Sequence, residues 1–472
     1  GYILLALWFP LLRHYNRLPL ADVRSLAPSL RQGLAYGGLI CLLFGFFVMA
    51  YRRVRMTDAR LGLARVAGVS ILLALPLLFV YPINANDIYR YVIRGRINSV
   101  YGADPFSVSP DSFADDPFLP LAGEWAGATS PYGPLWELSA SGITHLSANN
   151  LFWGLFSFKL LGLLAFLGSA VLLWMSFAPA AEETNTGSEN RSIRAALTLL
   201  WAWNPALLLS FVANGHNDAL LIFCLLLGYY FIRRGQNQFG FLLLMLGCLV
   251  KPIGLLALPL FFISIWRMGP SRIWRWRFLA ASIAGALFLL WLAFLPFGSP
   301  WELGQRLLQE ATVSTGFSIS TTLILIGQAL GADAAPAIAA MARISLLLFV
   351  LFTVWLLWKT WRGRSALRGT ADVFFAYLLQ ALNFRIWYAA WPFPWLLLDV
   401  GTGRQTSPAT YRLRYGLWFL LTTQLSVILY GHVRVYLLGG SQLWAHVLGI
   451  SFVFALPWFL ARSSVLTWSN MK

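Results

Sequence analysis

Residues 336–358 read PAIAAMARISLLLFVLFTVWLLW, a run that contains one charged side chain, Arg343. About 20 consecutive apolar residues carry an α-helix across the hydrocarbon core of a bilayer. A strand that crosses a membrane would alternate apolar and polar residues, and this stretch does not alternate. The run therefore predicts a transmembrane helix.

Similar runs recur along the chain and define its class. Nearly uncharged windows occupy 33–51, 64–81, 151–178, 195–213, 278–297, 336–358 and 441–460. Of the 472 residues, 58% are hydrophobic and only 11% are charged, which leaves too little polar surface to solvate a globule of this size. The sequence predicts an all-α polytopic membrane protein that forms a single domain over residues 1–472.

The net charge of +17 comes from arginines in short loops between apolar windows. We expect no nucleic-acid partner, because the charge lies on no solvated face and no module that reads nucleic acid is visible. The pattern instead follows the positive-inside rule and favours contact with anionic membrane lipids.

The cluster from Arg52 to Arg65 predicts a cytoplasmic loop. Four arginines fall on the external side, against the rule: Arg13, Arg17, Arg24 and Arg31.

The loop 83–150 follows the apolar window 64–81. Because the Arg52–Arg65 loop at the other end of that window is predicted to be cytoplasmic, the loop 83–150 is predicted to be external. It is the longest polar stretch of the protein and is rich in Pro, Gly, Asp and aromatic residues. Such turn-forming composition predicts a folded loop with interfacial helices on the membrane surface. Long loops on a rigid scaffold commonly carry function, so we expect the catalytic residues here.

Two later segments, 238–266 and 372–399, each lie between basic clusters that should both be cytoplasmic. Each segment must then cross the membrane an even number of times. The first is interrupted at Lys251-Pro252, where proline removes a backbone donor. The second carries Arg385 at its middle. We predict two broken helical hairpins with these two cations at their apices, lining a protein cavity.

The sequence NANDIYRYVIRGR at 84–96 puts Asp87, Tyr91 and Arg94 on one face of a helix, because they are spaced by four and three residues. Asp87 is either the N-cap of an interfacial helix or a carboxylate held at the mouth of the cavity. The second alternative would make it a site for chemistry.

A second polar motif, NGHNDAL, begins at Asn214. Either Asn214 or Asp218 caps the next helix, or His216 and Asp218 bind a polar substrate. Two ligands two residues apart are a weak metal signal, and we predict no metal site.

Lys251 and Arg385 have one requirement in common, since a cation at membrane depth needs an anion to neutralise it. A lipid phosphate would serve, and the alternative is an ion pair with an internal carboxylate. The aromatic residues near Arg385 form either an interfacial belt or a platform on which a sugar stacks. These residues are Trp387, Tyr388, Trp391 and Trp395.

Taken in order, the motifs resemble those of a known family. They are NDIYRY, RGR, GADPF, SPYGPLW, NPALLL, NGHNDAL, LVKP and NFRIWYAAWP, and they run from about Ile83 to Leu398. In this order they resemble the bacterial polyprenol-phosphate-mannose-dependent alpha-mannosyltransferases and, more broadly, the GT-C glycosyltransferases. Each motif is weak alone, and the ordered set carries the specificity.

The resemblance implies a GT-C-like bundle of about 11–14 transmembrane or half-membrane helices with a large first external loop. It implies inverting transfer of a sugar, usually mannose, from a polyprenyl-monophosphate donor to a glycolipid, glycan or protein acceptor. The site would face the external side of a bacterial plasma membrane. No cofactor is required, with at most a weak dependence on a divalent cation. Some relatives carry two adjacent acids, whereas Asn86 and Ile88 flank Asp87, which argues against a bridging metal.

Within this interpretation Asp87 is the catalytic base, because a sugar hydroxyl needs a base within hydrogen-bond reach. The departing lipid phosphate needs cations, and we assign that role to Lys251, Arg385 and Arg94. The predicted substrate-binding residues are Tyr91, Tyr132, His216, Asn217, Asp218, Trp387 and Tyr388.

Two other functions share several of these features. A transporter or flippase of lipid-linked sugars would also have broken helices and intramembrane cations. It needs access from both sides of the membrane, however, and the polar residues here gather toward one face. A structural subunit of a membrane complex would instead pair Asp87, Lys251 and Arg385 with internal partners.

Overall fold

The computed structural model describes residues 1–56, 61–177, 189–310, 316–402 and 407–462. Within these ranges the chain is helical, apart from turns and one isolated bridge between Pro10 and Val80. Arg60 of the predicted cytoplasmic cluster lies outside the described residues. The predicted all-α class is confirmed.

Most of the chain forms α-helices. Their bounds are Tyr2–Trp8, Leu11–His14, Val23–Leu26, Leu30–Met56, Leu63–Leu78, Asp87–Ser99, Pro134–Ser147, Leu151–Ser176, Glu189–Ala202, Pro205–Leu208, Asp218–Arg233, Asn237–Val250, Leu258–Met268, Arg272–Phe294, Pro300–Glu310, Ile319–Ala329, Ala334–Trp361, Ala366–Gln380, Phe393–Thr402, Ser407–Ile428, Arg434–Tyr436, Gln442–Ile450 and Leu456–Leu460. The 3-10 helices are Pro110–Ser112, Leu119–Trp125, Pro252–Leu256 and Ile386–Ala390, and π-helical turns occupy Leu209–Ala213, Leu429–Val433 and Ser451–Ala455.

Six helical stretches of the described chain are long and apolar enough to cross a membrane. They are Leu30–Met56, Leu151–Ser176, Arg272–Phe294, Ala334–Trp361, Ser407–Tyr436 and Gln442–Leu460. The pair Ser192–Ala202 and Pro205–Ala213 adds a seventh that is bent by 40°. The bend falls at Pro205, which cannot donate a backbone hydrogen bond. Shorter apolar helices are Leu63–Leu78, Asn237–Val250, Pro252–Met268 and Ile319–Ala329, and the chain is a multi-pass membrane protein.

The span Ser407–Tyr436 has no counterpart among the apolar windows of the sequence. Its mean hydropathy is 1.3, against 2.3 for Ala334–Trp361, whereas 67% of its most apolar window is buried inside the protein. A span that contacts protein on most sides tolerates polar side chains that lipid would exclude. By contrast only 6% of the corresponding window of Ala334–Trp361 is buried, as expected for a helix surrounded by lipid.

The helix that begins at Asp87 packs along Pro134–Ser147. The approach is so close that a Cβ atom on Gly95 would lie 2.5 Å from the carbonyl oxygen of Ala140, which requires glycine. Farther along the loop, Arg96 Nε donates to Asp116 Oδ2 at 2.9 Å, and both side chains are buried. The parts of the loop 83–150 are therefore held to one another by close helix packing and by a buried ion pair.

Lys159 fixes the segments on either side of the candidate site. Its side chain is fully buried, and its ammonium donates to the carbonyl oxygens of Val80 at 2.6 Å, Leu77 at 3.4 Å and Ala213. Val80 precedes the segment that leads to Asp87, and Ala213 precedes the NGHNDAL motif. Lys159 thus bonds the segments that precede the two polar motifs to one helix, Leu151–Ser176.

The two predicted apices have similar local structure. A helix ends at Val250, Lys251 has an extended backbone with φ −150° and ψ 121°, and a 3-10 helix follows. Arg385 is likewise extended, with φ −121° and ψ 152°, and also precedes a 3-10 helix. That the segments 238–266 and 372–399 return to the same membrane face stays a prediction.

Candidate active site

A cavity of about 320 Å³ opens beside Asp87. Four separate parts of the chain line it, namely residues 22–24, 83–87 with Arg90, 385–387 and 427–434. Glu124 and Phe317 complete the wall. The cavity therefore depends on the tertiary structure, because its walls come from both ends and the middle of the sequence.

Asp87 is the first residue of its helix, and Asn86 occupies the N-cap position without a side-chain capping bond. Asp87 is therefore not the N-cap, although its charge is favourable in the first turn. Arg90 Nη1 donates to Asp87 Oδ1 at 2.9 Å. Asp87 is 7% exposed, at the edge of the cavity. This geometry leaves the carboxylate accessible to a bound hydroxyl.

The protonation of Asp87 is set by opposing effects. Burial raises the pKa of the carboxyl, while neighbouring cations, chiefly Arg90, lower it, and the net result is a pKa below the usual range. The group is therefore ionised at neutral pH. An ionised carboxylate can take a proton as a hydroxyl attacks.

Four arginines line the same cavity, namely Arg24, Arg90, Arg385 and Arg434. They face three acids, Asp22, Asp87 and Glu124. Asp22 is committed to capping the short helix that follows it, since its Oδ1 accepts from the backbone N–H of Ser25 at 2.7 Å. The cavity thus has a surplus of positive charge, which suits an anionic ligand.

Behind Asp87 lies a group of buried polar side chains. His216 Nδ1 is 3.7 Å from Asp87 Oδ2, and the imidazole stacks on Trp387 with 4.0 Å between ring centroids. Both amide atoms of Asn217 and Oδ1 of Asn86 are buried without a hydrogen-bond partner. Burial lowers the pKa of His216 to about 4, so the ring is neutral at neutral pH. Buried polar groups without partners are costly, and a bound polar ligand would satisfy them.

Lys251 has an internal partner, the alternative raised from the sequence. Its Nζ donates to Asp218 Oδ1 at 2.8 Å, and Trp391 Nε1 donates to the same oxygen at 2.5 Å. The ammonium also lies 4.8 Å from the ring centroid of Tyr388. Asp218 is fully buried, and it begins a helix whose N-cap position belongs to Asn217. Lys251 and Asp218 therefore form a buried ion pair in which Oδ2 of Asp218 has no hydrogen-bond partner.

The SPYGPLW motif brings a third segment to this ion pair. Gly133 donates its backbone N–H to the carbonyl of Val250 at 3.0 Å, and a Cβ on Gly133 would lie 2.0 Å from the carbonyl oxygen of Leu249. Only glycine fits this approach. It holds Tyr132 near Lys251, with 5.9 Å between the ammonium and the ring centroid.

The structure places the site residues predicted from the sequence in two groups, with Arg94 apart from both. Asp87, Arg385 and Trp387 line the cavity, and His216 and Asn217 lie behind it. The second group surrounds the Lys251–Asp218 pair. Tyr132 and Tyr388 lie near the Lys251 ammonium, and Tyr91 contacts the ring of Tyr132.

Arg94 is apart from both groups. Its Nη2 donates to the carbonyl oxygens of Ala128 and Thr129, at 3.4 Å each.

Trp391 and Trp395 are 2% and 1% exposed, so they pack inside the protein and do not belong to an interfacial belt. In the parts of the chain that are described, no group of three or more His, Cys, Asp or Glu side chains could hold a metal ion.

Three cavity arginines were not among the residues predicted from the sequence: Arg24, Arg90 and Arg434. Arg90 belongs to the same motif as Asp87, three residues later. Arg24 is one of the four arginines that violate the positive-inside rule, and that violation was the available signal. Arg434 lies close to the C-terminus, where the sequence offers no comparable signal.

Comparisons with known proteins bear on this site. A family model described as "Alpha-(1->6)-mannopyranosyltransferase, N-terminal domain" matches residues 9–267, more than half of the chain. That range includes Arg24, Asp87, Arg90, His216 and Lys251.

Individual relatives carry the same enzyme name. Alpha-(1->6)-mannopyranosyltransferase A of Mycobacterium tuberculosis is 29% identical over 197 residues, which cover 40% of this chain and 35% of the relative. A second alpha-(1->6)-mannopyranosyltransferase of the same organism is 30% identical, with coverage of 35% and 26%. Alpha-(1->6)-mannopyranosyltransferase A of Corynebacterium glutamicum is 24% identical, with coverage of 40% and 36%. The chain thus spans well under half the length of these curated relatives.

Proposed function

The chain belongs to the alpha-(1->6)-mannopyranosyltransferase family, and we propose that it transfers a mannosyl group to an acceptor hydroxyl in the cavity beside Asp87. One observation carries the proposal: a buried, ionised carboxylate and four arginines line the same cavity. Transfer from a sugar phosphate needs both a base and a site for the departing anion. The cavity supplies both.

We propose a polyprenyl-monophosphate-linked mannose as the donor. Arg385 keeps the phosphate-binding role assigned from the sequence, whereas Lys251 and Arg94 are engaged elsewhere. Arg24 and Arg434 take their place in the proposal, because both line the cavity. The phosphate ester already activates the sugar, so the reaction needs no further cofactor. The reaction would occur at the external face of the plasma membrane, on a glycolipid, glycan or protein acceptor.

The proposed reaction is a single displacement. The acceptor oxygen attacks the anomeric carbon as its proton passes to Asp87, and the bond from that carbon to the phosphate oxygen breaks. The leaving lipid phosphate takes the bonding electron pair, and the arginines neutralise its charge. One displacement inverts the anomeric configuration. An alpha product, as named for the relatives, therefore requires a beta-linked donor.

We assign the sugar itself to the polar group behind Asp87. The amide of Asn217 and the amide oxygen of Asn86 are buried and have no hydrogen-bond partner. Trp387, half-buried and stacked on His216, lines the cavity together with Asn86. Tyr91, Tyr132, Tyr388 and Asp218 do not line the cavity, and we assign them a supporting role through their contacts around Lys251.

The proposal is tested with purified protein in lipid nanodiscs, supplied with radiolabelled polyprenyl-phosphate-mannose and a synthetic alpha-mannoside acceptor. Wild type should form labelled product, and Asp87→Asn should reduce the rate by about 10²–10⁴-fold while donor binding is retained. Asp115→Asn is the matched control, since it makes the same change at an exposed acid of the same loop.

Two outcomes of this assay would overturn parts of the proposal. Equal transfer by Asp87→Asn and wild type would remove Asp87 as the base. Donor that crosses the membranes of vesicles containing the wild-type protein, without any labelled product, would favour a transporter of lipid-linked sugars.

A further inference from the structure

A second cavity, of about 330 Å³, lies between the loop 83–150 and the helix Pro300–Glu310. We call it the outer groove. Its polar side chains are those of Ser107, Thr129, Glu302, Gln305, Arg306 and Gln309. None of these residues lines the cavity beside Asp87. The outer groove is thus a separate polar concavity.

The groove is built by a small hydrophobic cluster of its own. Leu303 and Leu307, on one face of the helix Pro300–Glu310, pack with Phe106, Phe294 and Phe297. This packing attaches the helix to the loop and directs its opposite, polar face along the groove. The groove is therefore a consequence of stable packing and is more than a gap between loops.

Two arginines hold the wall that faces the helix. Arg94 Nη2 donates to the carbonyl oxygens of Ala128 and Thr129 at 3.4 Å, and Arg306 Nε donates to the Thr129 oxygen at 3.2 Å. Arg94 lies on the same helix as Asp87, seven residues later and on the same face. At 1.5 Å per residue, the two positions are about 10 Å apart along the helix. Through Arg94, the wall of the outer groove is thus bonded to the helix that begins with Asp87.

The chemistry of the groove suits a neutral ligand with many hydroxyl groups. Glu302 and Arg306 balance in charge, while two glutamine amides and two hydroxyl side chains can each donate and accept hydrogen bonds. One oxygen of Glu302, Oε2, is buried and has no hydrogen-bond partner. A sugar hydroxyl that donates to this oxygen would remove the cost of its burial.

We infer that the outer groove binds the acceptor glycan, at sugar units beyond the one whose hydroxyl is attacked. The inference rests on the proposed function, because it takes Asp87 as the point from which the acceptor extends. A single mannoside would fill only the Asp87 cavity, whereas a longer alpha-mannoside would also reach Gln305 and Gln309.

The test measures binding of alpha(1→6)-linked mannotriose to purified protein in nanodiscs, without donor. Wild type should bind the trisaccharide, and Gln305→Ala combined with Gln309→Ala should weaken binding about tenfold, as two lost hydrogen bonds predict. Gln328→Ala, a glutamine of the helix Ile319–Ala329 that lies outside the groove, is the matched control. Glu302→Gln, which removes the charge and keeps the shape, should also weaken binding.

A kinetic comparison separates this inference from the proposed function. The double glutamine variant should raise KM for mannotriose as acceptor and leave KM for a single alpha-mannoside and for the lipid donor unchanged. Wild-type affinity in the double variant, or no binding of mannotriose by wild type, overturns the groove assignment while transfer to the single mannoside can persist. Absence of transfer by wild type, with mannotriose bound and weakened by the variants, would instead overturn the proposed reaction.

Discussion

The two ends of the helix Ala366–Gln380 carry opposite kinds of charge cluster. Beyond its C-terminal end lies Arg385, in the cavity of Asp87 with unpaired buried polar atoms nearby. At the other end Arg368 Nε donates to Asp399 at 2.8 and 3.0 Å, and Asp372 accepts from Arg364 and Arg412. We call this second group the Asp372–Asp399 network. Each of its two carboxylates is bonded to an arginine.

The difference distinguishes two uses of charge in a membrane protein. In the Asp372–Asp399 network, opposite charges satisfy each other and join three helices, so the expected role is structural. In the Asp87 cavity, arginines outnumber acids and surround open space, so an anionic ligand would neutralise the surplus positive charge. Substitutions in the network should therefore lower stability, and those in the cavity should lower activity.

The largest effect is expected at Asp218, which lies beside the cavity but is paired as in the network. Asp218→Asn leaves the ammonium of Lys251 buried without a carboxylate, which should lower the free energy of unfolding by about 3–5 kcal/mol. Thermal unfolding in detergent measures the loss.

The matched variant is Asp218→Asn combined with Lys251→Met, which removes both charges. It should recover most of the stability, because no unpaired charge remains. A double variant no more stable than Asp218→Asn would show that the two residues act independently, and their pairing could not explain the position of Lys251.

Arg385→Gln should give the next largest effect. Loss of the proposed charge-assisted contact to the donor phosphate should reduce kcat/KM for the proposed lipid donor by about 10–100-fold, equivalent to about 1.4–2.7 kcal/mol. The melting temperature should change little. The measurement is steady-state transfer with the donor concentration varied.

Arg364→Gln is the control for this experiment, since it makes the same change in the Asp372–Asp399 network. It should lower the melting temperature and leave kcat/KM per folded molecule near the wild-type value. Reversed results for the two variants would contradict the division of the molecule into a ligand-binding end and a structural end.

A smaller effect is expected at Asp399, because its partner Arg368 is 39% exposed at the side chain and water weakens the ion pair. Asp399→Asn should cost about 1–2 kcal/mol of unfolding free energy and leave transfer unchanged. Chemical denaturation of the purified protein measures it. A loss of transfer with normal stability would place the network in the catalytic machinery.

The contrast between segments exposed to lipid and segments covered by protein explains which spans the sequence could predict. Windows such as 336–358 identify lipid-exposed spans directly, because lipid excludes charge. The span Ser407–Tyr436 was missed because protein covers it, so that Gln424, Arg412 and Arg414 are tolerated within it. Spans buried in protein thus escape a test based on hydropathy alone.

The candidate site was predicted only in part for a related reason. Helical spacing singled out Asp87, and the position between two basic clusters singled out Arg385; both residues line the cavity. The pairing of Lys251 with Asp218 joins two motifs 33 residues apart, and hydropathy and spacing do not show which cation approaches which acid. Arg434 enters the cavity through packing near the C-terminus, which no local pattern reports.

The smallest predicted effect concerns Glu137, a buried acid of the loop 83–150 that accepts from Ser130 Oγ at 2.5 Å. Burial raises its pKa from 4.5 to about 7. The folded state therefore holds the proton over a pH range in which the unfolded state has lost it, so stability should fall as pH rises from about 4.5 through 7. Between pH 6 and 8 this amounts to about 1 kcal/mol.

Glu137→Gln should remove this pH dependence, because the amide cannot ionise. Unfolding free energies of wild type and variant, measured at pH 6 and 8, should differ more at pH 8, with the variant the more stable there. An unchanged difference would mean that Glu137 is ionised in the folded protein and needs a cation, and Arg94, whose charge lowers its pKa, would then be its partner. In that case Glu137 would join the acids of the Asp372–Asp399 network in being paired, in contrast to Asp87, which lines a cavity with surplus positive charge.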